Sequence, residues 1–194
     1  MEKKYKLTDE TISVDGRTLY RIEALRDFGD VKKGDKGGFI EKEDNLSQSN
    51  NCWVYGDAKV YDDAVIYDDA QVRHKAVVFY KAKVSGEAVV FGNAEIFGNA
   101  VVRDKANVYN DAEVFGNAEV YGNAQVYGKA WVYDNAKVYD FALVFDVALV
   151  FDVAKVYGSA EVFGSAVVYD NAWVYGNAKI FGSAEVCGKA QICG

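Results

Sequence analysis

Val or Ile returns at 54, 60, 66 and every sixth position to 192, and Ala at 58, 64, 70 and every sixth position to 190. No insertion or deletion breaks this register. Ala58 and Val60 lie two apart, so in an extended chain they share one side while Lys59 and Tyr61 take the other. A helix needs apolar spacing near 3.6, which a strict period of six does not supply. Tyr or Phe usually follows each Val or Ile directly, and then come pairs such as Gly-Asn, Gly-Ser, Asp-Asn or Asp-Asp. These residues tolerate left-handed backbone angles and bend the chain. The predicted unit is a four-residue strand and a two-residue corner.

Strands this short cannot form hairpins and still keep every Ala and Val on one side. Coiling satisfies both demands. Three units per turn set residue i above residue i+18 at a strand spacing of about 4.8 Å. Val and Ala then form internal ladders in a narrow triangular core. Counted from about residue 46, some eight coils make a rod roughly 40 Å long, held by stacking of each coil on the next.

The [Val/Ile]-x-x-x-Ala-x pattern resembles the hexapeptide repeat of left-handed β-helices. With Gly34-Asp35-Lys36-Gly37-Gly38-Phe39-Ile40-Glu41-Lys42-Glu43-Asp44-Asn45-Leu46-Ser47, followed by Cys52-Trp53-Val54-Tyr55, nearly the whole chain resembles the YdcK-type β-solenoid family, whose members are often labelled transferase-like. The resemblance implies left-handed coiling, which periodicity does not, since parallel crossovers are ordinarily right-handed. The expected fold is all-β: a left-handed parallel β-helix with three strand-plus-corner units per coil and an N-terminal β-hairpin cap.

Residues 1–45 fall outside the six-residue register and form the expected capping module, with the solenoid over 46–194. Thr11–Val14 and Arg17–Ile22 flank Asp15-Gly16, a type I′ hairpin signature. The Gly-rich stretch 33–38 lacks the phosphate-loop spacing and a following helix, and reads as a loop into the first coil. A hairpin over that coil would shield its strand edges. No matching cap is expected at the other end, where the repeat runs to Cys193-Gly194; that edge either frays or meets another copy.

Composition narrows the function. The 22 Lys and Arg against 29 Asp and Glu give a net charge of −7, which argues against binding duplex nucleic acid. No apolar run approaches the roughly 20 residues of a membrane span, and no secretory leader is evident. The cysteines Cys52, Cys187 and Cys193 are few and odd in number, so a reduced, cytoplasmic setting is expected.

The resemblance suggests acyl transfer, in which enzymes of this shape use a His at a subunit cleft and a loop extruded from a coil. Here the single His, His74, sits in a corner beside Lys75, and no loop interrupts the repeat. The expectation is therefore no catalytic residue, no cofactor and no CoA-dependent transfer. Asp57, Asp62, Asp63, Asp68 and Asp69 fall on three corners and read as a solvated acidic collar, with no metal expected. From Tyr55, every sixth residue is aromatic except Arg73, Ser85, Arg103, Cys187 and Cys193. Spaced by 18, they read as outward ladders that stiffen the rod, or alternatively as a carbohydrate- or surface-binding platform.

One region is unusually apolar. Phe141, Val147 and Val153 replace polar corner residues, and Leu143 and Leu149 replace polar outward ones. The 18-residue offset aligns Trp131 and Tyr133, Leu149 and Phe151, and Val167 and Tyr169 in a two-by-three block. Such a block marks an interface. The resulting reading is a non-enzymatic structural or binding rod that self-associates, by default as a dimer, or binds a partner through this face. An acyltransferase-like enzyme is the alternative, and a polysaccharide-binding module is a third.

Overall fold

A computed structural model describes residues 3–194. The chain begins with β1 (Tyr5–Val14) and β2 (Arg17–Ala24), an antiparallel pair turned at Asp15-Gly16, both residues with positive φ. β3 (Lys36–Ile40) pairs antiparallel with β2 and, on its other edge, parallel with the strand Lys59–Val60. The Gly-rich stretch expected to be a loop therefore enters a strand at Lys36. Its glycines explain why: a Cβ on Gly37 would lie 2.5 Å from Ile22 Cγ1, and one on Gly38 would lie 2.5 Å from the Ala58 carbonyl oxygen. Only a bare backbone fits between β2 and the first coil.

The solenoid strands follow from β4 (Trp53–Val54), β5 (Lys59–Val60) and β6 (Val65–Ile66) to Gln191–Cys193. They form three parallel sheets, called here the β4, β5 and β6 faces. Pairing follows the 18-residue offset throughout; Val89 meets Asn107, and Trp131 meets Leu149. With the part-turn begun at β3, the rod has about nine turns. Hydrogen bonding assigns only two or three residues to each strand, fewer than the four in the predicted extended unit, because the next residues already close the corner. Ala64 N–H, for example, donates to the Tyr61 carbonyl at 3.3 Å.

The Ala and Val ladders fill the interior with essentially no exposure from Ala58 to Val174. The first corner residue takes positive φ, as Gly or as Asp, Asn, His or Tyr. Asp adds a function that Gly lacks. The backbone ladder bonds the second corner residue's N–H, and the Asp carboxylate reaches the first corner N–H of the next turn. Asp146 accepts from Gly164 at 3.0 Å, and Asp152 from Asp170 at 3.0 Å. A charged acceptor thus takes a donor that would otherwise depend on water.

The N-terminal segment extends the solenoid's core. Trp53, at an outward position, is covered by Tyr5 and Phe28 in edge-on contacts at 6.0 and 5.3 Å. Lys4 is fully buried beside them, and its ammonium donates to the carbonyls of Ser49, Asn50 and Cys52 and to Cys52 Sγ at 3.3 Å. Burial lowers the Lys4 pKa and raises that of the Cys52 thiol. Three of the five collar aspartates meet cations from the N-terminal segment while the collar stays solvated: Asp57 pairs with Arg21, Asp62 with Arg17 and Asp63 with Lys42, and Asp57 and Asp63 are each 68% exposed.

Candidate interaction face

The outward aromatic columns are stacked along the rod. On the β5 face, Phe97, Phe115, Tyr133 and Phe151 follow one another with centroids 4.8–4.9 Å apart and planes within 9°. On the β6 face, Tyr121, Tyr139 and Tyr157 lie 4.8 and 4.9 Å apart, nearly parallel. This geometry spends the ring faces on neighbouring rings and turns their edges outward. A sugar seeking an open ring face finds none inside such a ladder.

Burial, reinforced by the neighbouring phenols of Tyr121 and Tyr157, pushes the Tyr139 pKa up to about 12. A raised acid pKa favours the neutral form in the fold. Its stabilisation is present below the unfolded pKa of 10.0 and is lost as pH climbs towards about 12. An alkaline titration followed at tyrosinate absorbance should therefore show ladder tyrosines ionising late, together with loss of β-sheet circular dichroism. Complete ionisation near pH 10 with the fold intact would contradict the assignment.

The six residues of the apolar block come together as one patch. Trp131, Leu149 and Val167 are in direct register, and Tyr133, Phe151 and Tyr169 stack beside them at 4.8 and 5.2 Å. Trp131 is 41% exposed, and its indole meets Phe115 edge-on. The corners beside this turn expose Val147 and Val153, and Phe141 stands on the third corner. A shallow hollow lies between Trp131, Val147, Leu149, Lys129 and Glu113. Burial and the in-register Glu95 raise the pKa of Glu113, which borders the patch.

Among curated proteins, the uncharacterized acetyltransferase YdcK of Escherichia coli (strain K12) is 39% identical over 61 residues, covering 27% of this chain and 19% of that relative. The match thus spans about a fifth of the relative's length. No family model matches the chain. Over that stretch the chain is similar to YdcK, and its parallel β-solenoid accords with a hexapeptide-repeat protein of that type.

In this solenoid, His74 lies exposed at a corner with φ 63, its ring 6.2 Å from that of Phe91, and its carbonyl accepts from Asp57 N–H at 2.9 Å. Among the described residues, no group of three His, Cys, Asp or Glu side chains is arranged to hold a metal ion. The three cysteines are unbridged; Cys52 is buried and Cys187 and Cys193 are exposed. No helix among the described residues is long and apolar enough to cross a membrane. Reading the repeat alone missed the buried Lys4–Cys52 contact and the covering of Trp53. Lys4 and Cys52 are 48 residues apart, and Trp53 is covered by Tyr5 and Phe28 from other elements; no local spacing signals such contacts.

Proposed function

We propose that this protein is a non-enzymatic binding rod that pairs with a second copy through the patch centred on Leu149. The carrying observation is the run of three apolar residues on an outward row that elsewhere holds Lys59, Val77, Glu95, Glu113 and Glu185. Glu113 precedes Trp131, and Glu185 follows Val167 on the same row. Covering the block removes apolar surface from water, worth about 25 cal/mol per Å² before the cost of association.

A two-fold axis parallel to the rods sets Trp131 against the second copy's Tyr133 and, at the Leu149 turn, brings the Val147 corner to its Val153 corner. The arrangement closes as a dimer. Free cysteines accord with a reducing, cytoplasmic setting.

Leu149→Lys with Phe151→Lys should give a folded monomer with unchanged β-sheet circular dichroism. Light scattering that finds the unaltered protein monomeric at high concentration would sink the proposal. The name of the Escherichia coli relative supports acetyl transfer as a second reading. Calorimetric binding of acetyl-CoA that disappears in His74→Ala would favour it.

A further inference from the structure

The corner at Tyr80 departs from every other corner of the rod. Elsewhere in the described solenoid the left-handed corner positions hold Gly, Asp, Asn or His, which suit that conformation or reach it with a short or planar polar side chain. Tyr80 holds φ 55 with a bulky ring, a conformation that opposes folding. Its ring is also not a ladder member. It is 54% exposed and leans on Phe79 at 5.0 Å with the planes 41° apart. The corner one turn on is Gly98, which supplies no side chain to cover it. The strained residue thus presents aromatic surface that the stacked tyrosines keep to themselves.

The surroundings are polar and concave. Tyr80, Gly98, Asp63, Lys81 and Asn99 line one hollow. An adjoining hollow shares the last three and extends to Lys83 and Val101 on the β6 face. Arg17 and Asp62 form the back wall as an ion pair, and Asp63 is held by Lys42 at 2.8 Å. Neither Lys81 nor Lys83 has a carboxylate within 4.0 Å among the described residues, whereas Lys137 and Lys179 on the rod each have one at 2.6 and 2.9 Å. The groove therefore offers an open ring, two available ammonium groups, and carboxylate and amide oxygens.

We propose that this groove binds an acidic sugar. The pyranose ring lies over Tyr80, where its C–H bonds meet the aromatic face. Its hydroxyls bond to Asp63 and Asn99, and its carboxylate rests near Lys81 and Lys83. A peptide in extended form needs a free strand edge, and here the adjoining strands are paired on both sides. The site lies on the edge between the β5 and β6 faces, three turns before Trp131 and in the same column of corners as Asp134.

Calorimetric titration with a galacturonic acid trisaccharide, beside a galactose trisaccharide as the neutral control, tests the assignment. The expected result is binding of the acidic probe in the millimolar range or tighter, weakened at high salt, with the neutral probe at least tenfold weaker. Tyr80→Gly, which installs the residue found at many other corners, should keep the melting temperature or raise it while abolishing binding. Lys81→Gln with Lys83→Gln should erase the preference for the acidic probe. No binding by the unaltered protein, equal binding of both probes, or full binding by Tyr80→Gly would each overturn the proposal.

Discussion

Ala118→Leu is expected to lower stability by on the order of 3 kcal/mol, the upper part of the usual range for overpacking a core. Ala118 has no exposure, and the ladder positions around it are Ala and Val. In a globular core a neighbouring helix or loop can shift to admit extra methyl groups. Here the walls are strands hydrogen-bonded to the turns above and below: Val101 N–H donates to the Ala118 carbonyl at 2.9 Å, and Ala118 N–H closes its own corner on Phe115 at 3.3 Å. Relief must therefore come from breaking the stack. Since each coil touches only its neighbours, the defect should also divide the rod into segments that melt separately. Chemical denaturation measures the loss, and calorimetry resolves the segments. An unchanged melting temperature would mean that the Ala ladder does not face the interior.

Gly38→Ala is expected to be comparably damaging, about 3 kcal/mol, for a different reason. The added Cβ would sit 2.5 Å from the Ala58 carbonyl oxygen and 2.7 Å from Val54 Cγ1. Backbone cannot retreat as a flexible side chain can, so β3 must lift from β5. That movement would loosen the ion pairs of Arg17, Arg21 and Lys42 with the first coil. Limited proteolysis should then cut the N-terminal segment before the coils beyond it. Equal protease resistance in Gly38→Ala and the unaltered protein would show that β3 does not need this close approach.

The two predictions separate what local sequence could reveal from what it could not. Ala and Val spacing identified the core ladders because in a strand the side of each residue follows from its count along the chain. The aromatic positions likewise implied stacked columns, since an 18-residue offset is one turn. The Gly37–Gly38 strand was hidden because glycines in a polar stretch look like a loop; what makes them strand residues is Ile22, Val54 and Ala58 pressing from other elements. The cations that meet Asp57, Asp62 and Asp63 were hidden for the same reason. Tyr80 went unremarked in the sequence, because its consequence depends on the backbone angle and the open space beside Gly98. The register of Trp131, Leu149 and Val167 was legible from the 18-residue offset.

The uniform 18-residue offset also leaves the rod with a phase problem. Sliding one part of the solenoid by a whole turn puts Val on Val and Ala on Ala again, so the interior barely distinguishes the correct alignment from a slipped one. What breaks this translational degeneracy is irregularity: Trp53 under Tyr5 and Phe28, Lys4 on the carbonyls before Cys52, and Arg73 or Arg103 where the columns have no ring. These features concentrate towards the N-terminal half. Coils laid down one after another from that end inherit its alignment, whereas a coil nucleated midway along the rod would have nothing in its own core to count from.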